Sequence, residues 1–445
     1  MSSVDPVPGP VVLRGDVVTP TELVPDGAVV LAEGRIVWAG PAAQVPGGWA
    51  DALPPAPAPG TTLLPGLVDL HDHGGGGASF PDATTRDEAM RAVREHLAHG
   101  TTSLVASLVT APRDVLLARA ALLADLVDSG DLVGIHAEGP FLSAARCGAQ
   151  NPEDMVTGDP TLVADLARAA RGHLVTMTVA PEVPGVADGG APAGADDEAF
   201  GGVPVPLGTP RPDVLSALVR AGAVPSIGHT DASAEQVDVA IVRARTLLAG
   251  GACAVQVGGR TAAGTSPRPT ATHLFNGMRP LHHRDPGPVA ACLAAAARGE
   301  LVVELVADGV HLADGTVRAV FDLVGPGSVA LVTDAMAAAG MADGDYRLGP
   351  MAVRVGGGVA RLLEPDGSAG AIAGGTAHLL DVVRSVVRAG IGLVPAVRAA
   401  ATTPAEVLGR ADLGALLPGR RADVVVADAD LACVAVYRAG RLLAV

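Results

Sequence analysis

Residues 67–77 read LVDLHDHGGGG, an apolar run that ends in His71-Asp72-His73 and then breaks into four glycines. Side chains alternate along a strand, so histidines at i and i+2 share a face and can hold one cation between them. The glycines leave room for a substrate to approach without meeting a Cβ. Other chemistry-bearing residues recur at the edges of apolar runs: His136-Ala-Glu138, Gly228-His229, Thr272-His273-Leu-Phe-Asn276, Asp308-Gly-Val-His311 and Thr333-Asp334. Glu138, His229 and His273 make a His₂Glu set, the donor chemistry that holds a divalent cation while leaving one position for water. His71 and His73 supply a second, neighbouring site that Glu138 can bridge. A cation so held lowers the pKa of a bound water to ~7. Asp334 is then free to act as general base toward the water and general acid toward the leaving group.

Such residues converge only if the chain brings the ends of separate runs to one rim. Eight strand candidates occur in series: LVDLHDH, TTSLVASLVT, DLVGIHAEG, HLVTMTVAPE, AVPSIGHT, ATHLFN, LVVELVADGVH and SVALVTDAM. Between most of them lie stretches with helical spacing, such as RDEAMRAVREHLAHG, closed by glycine. Eight βα units predict a (β/α)8 TIM-type barrel, whose functional residues sit at the carboxyl ends of the strands. VVLRGDVVTP and GAVVLAEGRIVWAG near the start, and RADVVVADADLACVAVYRAGRLLAV at the end, are β-branched runs punctuated by Gly and Asp. They predict a small β-sandwich domain built from both termini, with residues 1–64 and 403–445 as its halves and the barrel over 65–402. The Gly/Pro/Ala-rich stretches 183–206 and 249–269 read as surface loops or partly disordered insertions.

Composition narrows the chemistry. The chain has 445 residues and a formal net charge of −16, which argues against nucleic acid or an anionic membrane as partner. All 31 basic residues are arginine. The missing lysine excludes Schiff-base chemistry, a phosphate loop ending in Gly-Lys, and a metal pair bridged by a carboxylated lysine. Cys147, Cys253, Cys292 and Cys433 lie far apart with no CxxC pair, as expected of a reduced cytoplasmic protein. No signal peptide and no membrane span are expected.

PGLVDLHDHGGGG, HAEGPF, VAPE, GHTDAS, THLFNGM, DGVH, VTDAM and TPAEVLG…LGALLPGRRADVV occur in that order over residues 65–424, and together resemble the N-acetylglucosamine-6-phosphate deacetylase family of the amidohydrolase superfamily. The resemblance implies a metal-dependent hydrolase of amino-sugar catabolism and cell-wall recycling that releases acetate and leaves glucosamine 6-phosphate. Acting on another N-acetyl hexosamine phosphate or N-acyl amine is the alternative. It implies Glu138, His229 and His273 as principal metal ligands, His71 and His73 as ligands of a second metal, and Asp334 as the catalytic acid/base. The ion expected is Zn²⁺, one or two per subunit, with Fe²⁺, Mn²⁺ or Co²⁺ as alternatives.

Substrate contacts implied are Ala149, Gln150, Asn276, Gly277, His311, Ile372, Ala373, Gly374 and Arg284, whose planar fork suits a phosphate; His282 and His283 stand beside it. A homodimer is implied as well, one subunit helping to complete its neighbour's phosphate pocket. One departure stands out. The family carries Gly-x-His after the HxEGPF loop, and this chain reads Cys147-Gly-Ala149-Gln150. A glutamine amide donates a hydrogen bond but cannot become cationic, so a second metal is expected to take over polarisation of the carbonyl, a different preferred acyl-amino substrate being the alternative.

Overall fold

The computed structural model describes residues 9–188, 212–250 and 268–443. The two Gly/Pro-rich stretches lie largely outside these residues, as does Cys253. Eight strands form one parallel sheet: β1 (Leu67–Asp72), β2 (Thr101–Leu108), β3 (Gly134–Glu138), β4 (Leu174–Val179), β5 (Val224–Ile227), β6 (Thr270–Ala271), β7 (Val302–Leu305) and β8 (Val329–Leu331), each hydrogen-bonded to the next. A parallel bridge between Asp72 and Ala335 closes the ring, with His73 N donating to the Ala335 carbonyl at 2.7 Å and Asp334 N to that of His71 at 2.9 Å. All eight expected strands are therefore present in a barrel, and its seam lies at the HxH motif and Asp334.

Each strand is followed by a helix: α1 (Arg86–Ala98), α2 (Arg113–Asp128), α3 (Pro160–Ala169), α4 (Val214–Arg220), α5 (Ala234–Ala249), α6 (Gly287–Ala297), α7 (Asp314–Val324) and α8 (Leu379–Arg388). Local chemistry starts several of them. Thr85 and Glu88 form a capping box on α1, and Ser233 and Gln236 another on α5. The inward faces of these helices bury Val93, Leu116, Leu123, Leu166, Leu218 and Val383 against the strands in one large apolar cluster.

The β domain expected from both termini is one continuous seven-stranded sheet, ordered Arg441–Leu442, Cys433–Arg438, Val424–Ala427, Thr62–Pro65, Val11–Val18, Leu23–Ala32 and Arg35–Pro41. It carries a buried apolar cluster around Val17, Leu31, Leu63 and Val424 and another around Ala28, Val30 and Ala42. Asp423 docks it on the barrel, accepting from Thr102 Oγ1 at 2.9 Å and pairing with Arg421. Between β8 and α8 lies an element absent from the sequence reading, a four-stranded antiparallel sheet of Gly344–Leu348, Met351–Gly356, Val359–Leu363 and Ala369–Ile372. It buries Leu348, Val353, Val355 and Leu362 against Val109 and Met336.

Candidate metal centre and active site

Glu138, the last residue of β3, sits 3% exposed at the centre of the rim. Its Oε1 is 2.9 Å from His229 Nε2, 2.8 Å from His273 Nε2 and 3.8 Å from His71 Nε2. Its Oε2 is 3.2 Å from His73 Nε2. Asp334 Oδ1 lies 3.6 Å from His71 Nε2 and 3.4 Å from His73 Nε2. Two three-residue sets result, Glu138–His229–His273 and His71–His73–Asp334, each with ligand atoms within 4.8 Å of one another. The second set contains Asp334 where the HxH pair was expected to be completed by Glu138 alone, so the carboxylate read as acid/base also stands among the donors.

The chain itself points to a cation here. His71 Nε2 and His73 Nε2 approach to 3.0 Å. Two lone pairs cannot face each other at that distance without a proton or metal between them. Buried carboxylates on both sides offer the compensating charge. The outer partners are those that hold metal-ligating imidazoles in one orientation: His229 Nδ1 bonds the Arg146 carbonyl at 2.8 Å, His73 Nδ1 lies 3.3 Å from the Ser107 carbonyl, and His71 Nδ1 faces Glu304 Oε2 at 3.5 Å.

Charge follows the geometry. Burial pushes the Glu138 carboxyl up, but His229 and His71 outweigh it and hold it well below the usual range. Asp334 is likewise pushed up by burial and held below its ordinary value by His71, His73 and His273. For His73, burial pushes down, and the hydrogen bonds it donates to Asp334 and Glu138 raise it to about 9. The carboxylates thus favour protons on His71, His73 and His229, and a metal taking those lone pairs must displace them.

The backbone is unusual where the ligands sit. His229, His273, Phe275 and Asp334 have φ of 46°, 28°, 80° and 47°. Non-glycine residues visit this region at a cost, and it clusters at functional sites. Gly277, at φ 59°, packs against His229 so closely that a Cβ would stand 2.8 Å from Nδ1.

A cavity of about 240 Å³ opens on the ligands, lined by Ala149, Gln150, Asn276, Gly277, His311, Ile372, Ala373 and Gly374 together with His73, Glu138, His229, His273 and Asp334. The inserted sheet contributes Leu348 and Ile372 to it, and so covers the mouth of the barrel. Arg284 does not line it; with His282 and His283 it stands exposed on the loop before α6. The glutamine in place of the family's histidine is engaged inside the protein: Gln150 Nε2 donates to Glu138 Oε2, and Gln150 Oε1 accepts from Thr110 N at 2.8 Å.

Several supporting residues escaped the sequence reading. Glu304, buried on β7 amid valines, aims at His71, and an acid in so apolar a run was the available signal. Glu182 of VAPE accepts from Thr230 Oγ1 and Asp231 N, both at 2.6 Å, fixing the loop just beyond His229. Beneath the ligands, His136 spends both nitrogens on Thr176 at 2.7 Å and Thr178 at 3.1 Å. Burial and the neighbouring His71 push it well below the ordinary histidine value, so it is a neutral core residue.

The Amidohydrolase family profile matches residues 62–197, which hold the HxH motif and Glu138. The chain is 30% identical over 395 residues to the N-acetylglucosamine-6-phosphate deacetylase of Lysinibacillus sphaericus, with 86% of each chain covered. It is 28% identical over 438 residues to the N-acetylgalactosamine-6-phosphate deacetylase of a Shewanella species, covering 95% of this chain and 96% of that one. Among solved structures it superposes with TM-score 0.79 and 38% identity on a variant N-acetyl-D-glucosamine-6-phosphate deacetylase of Mycobacterium smegmatis in complex with N-acetyl-D-glucosamine-6-phosphate, covering 98% of this chain and 99% of that one. Barrel, convergent donors and these likenesses along nearly the whole chain agree, and the protein belongs to the N-acetylglucosamine-6-phosphate deacetylase family of the metal-dependent amidohydrolases.

Proposed function

We propose that this protein hydrolyses the amide of N-acetyl-D-glucosamine 6-phosphate to acetate and D-glucosamine 6-phosphate. The observation that carries the reading is the meeting of Glu138, His229 and His273 around one point beneath a cavity of sugar-phosphate size. These three residues would hold the principal cation, and His71 and His73 a second; Zn²⁺ is the ion their His/carboxylate chemistry favours. When bound, the metal supplies Lewis-acid activation of water and of the amide carbonyl. Asp334, kept ionised by the imidazoles around it, takes a proton from the attacking water and returns it to the sugar nitrogen as the C–N bond breaks. Gln150 steadies Glu138 through its amide. His311, whose Nδ1 is tied to Asp308 at 2.9 Å, presents its other nitrogen to the substrate. Ala149, Asn276, Gly277 and the stretch Ile372-Ala373-Gly374 shape the sugar pocket.

No arginine lines the cavity of a single chain among the described residues. That supports a homodimer in which Arg284 of the partner subunit reaches the phosphate. A reduced, cytoplasmic setting suits the scattered cysteines, none of which is paired among the described residues, and no described helix is long and apolar enough to cross a membrane. Acetate release measured on N-acetylglucosamine 6-phosphate, its galactosamine epimer and unphosphorylated N-acetylglucosamine tests the reading. The phosphorylated glucosamine substrate is expected to be fastest by kcat/KM. Equal rates with and without phosphate would refute a phosphate-anchored substrate, and preference for the epimer would transfer the assignment to the activity named for the Shewanella relative.

A further inference from the structure

Behind the glycine loop lies a second gathering of ligand-type side chains that the catalytic cavity does not use. Glu95, His99 and His378 each offer one ligand atom, and these atoms lie within 4.8 Å of one another. Glu95 lies in the last turn of α1, His99 is its C-cap, and His378 is the N-cap of α8, so the cluster joins helices nearly three hundred positions apart in sequence. Glu95 Oε1 is 2.9 Å from His378 Nε2 and 3.4 Å from His99 Nδ1. On its far side His378 Nδ1 faces Asp381 Oδ2 at 3.3 Å. A carboxylate behind an imidazole in this way fixes its tautomer and raises its basicity, the usual support of a metal-ligating histidine.

The surroundings keep the carboxylate in place. A Cβ on Gly340 would stand 2.0 Å from Glu95 Oε1, and one on Gly76 3.4 Å from Oε2. Next to the cluster, His96 is already committed to Asp72 Oδ2 at 2.9 Å and the Gly74 carbonyl at 3.0 Å, which separates it from the catalytic donors. None of the three residues lines the catalytic cavity.

Two imidazoles and one carboxylate, with solvent able to reach the remaining position, form a donor set suited to Zn²⁺. We propose that Glu95, His99 and His378 bind a zinc-class divalent cation separate from the catalytic metal, cross-linking the end of α1 to the start of α8 beside the loops that carry His73 and Asp334. The rings of His99 and His378 stack at 3.6 Å with 7° between their planes, so their in-plane lone pairs run parallel instead of converging on one point. The His99 side chain, 42% exposed and held at Nδ1 by the Glu95 carbonyl at 2.8 Å, must rotate to share an ion with His378.

Zinc content after equilibrium dialysis, compared between the native enzyme, His99→Ala and Glu95→Gln at equal free Zn²⁺, tests the site. Both variants leave the catalytic donors untouched, and each is expected to hold one zinc equivalent fewer than the native enzyme. Anomalous difference density at the zinc edge in crystals of the native holoenzyme is expected to place a peak among the three residues, a readout that does not depend on any variant folding. Equal zinc content in all three proteins, or a peak at the catalytic centre with none at this cluster, would overturn the proposal and leave Glu95 and the stacked imidazoles as a proton-held ion pair.

Discussion

Asp334 shares a group of donors with His71 and His73 and also faces the cavity, and the Asn variant separates these two roles. An asparagine keeps the shape and one oxygen ligand but cannot carry a proton between water and amine. Asp334→Asn is expected to retain bound metal while kcat falls by at least ~10², the scale of general acid–base catalysis; near-normal turnover would remove Asp334 from that role. A second residue-scale test concerns His96. Burial pushes this imidazole down, but Asp72 and the Gly74 carbonyl outweigh it and raise it to about 9 from an ordinary 6.5. Its stabilisation is complete below about pH 6.5 and is lost as pH rises through about 9. Thermal midpoints should therefore fall across that window in the native protein and less steeply in His96→Gln; parallel slopes would contradict the assignment. At this scale the donors were legible because HxH, HAE and GHT each end an apolar run and THLFN sets its histidine at the opening of one. Glu304 and Glu182 were not, since their roles depend on which strand end becomes a neighbour.

Loops hold the ligands in backbone conformations that only certain sequences tolerate. Gly277 is the sharpest case, combining φ 59° with a neighbouring imidazole already in contact. Gly277→Ala carries about 1–2 kcal/mol of left-handed strain and drives a methyl into His229. The expected outcome is a lower thermal midpoint together with reduced metal content; full metal content would show that His229 yields freely. Element order was readable because each barrel strand is a short apolar run ending in a polar residue and followed by a helix. The sheet over residues 344–372 carries only short turn signals, LGPM, GGG and PDG, between alternating residues. It interrupts the last βα unit, between Leu331 and Leu379, where eight units in series left no place for a separate sheet.

At the scale of the whole molecule, the cavity brings together residues from the end of β3 and the loops after β1, β3, β5, β6, β7 and β8, yet Arg284 remains outside it. The homodimer reading makes a distinctive prediction. Mixed dimers of Asp334→Asn and Arg284→Ala subunits contain one site with an intact acid/base and an intact arginine from the neighbour. Acetate release should therefore exceed that of either parent, whereas additive activity of the two parents would mean that Arg284 serves only its own chain. The central claim, that Glu138, His229 and His273 clasp a cation on which amide hydrolysis depends, is tested most directly by titrating metal back into chelator-stripped enzyme while following acetate release from N-acetylglucosamine 6-phosphate. The account predicts no turnover at zero metal and activity rising in step with the first equivalent bound. Turnover that persists in stripped protein, or that ignores the equivalents restored, would contradict it.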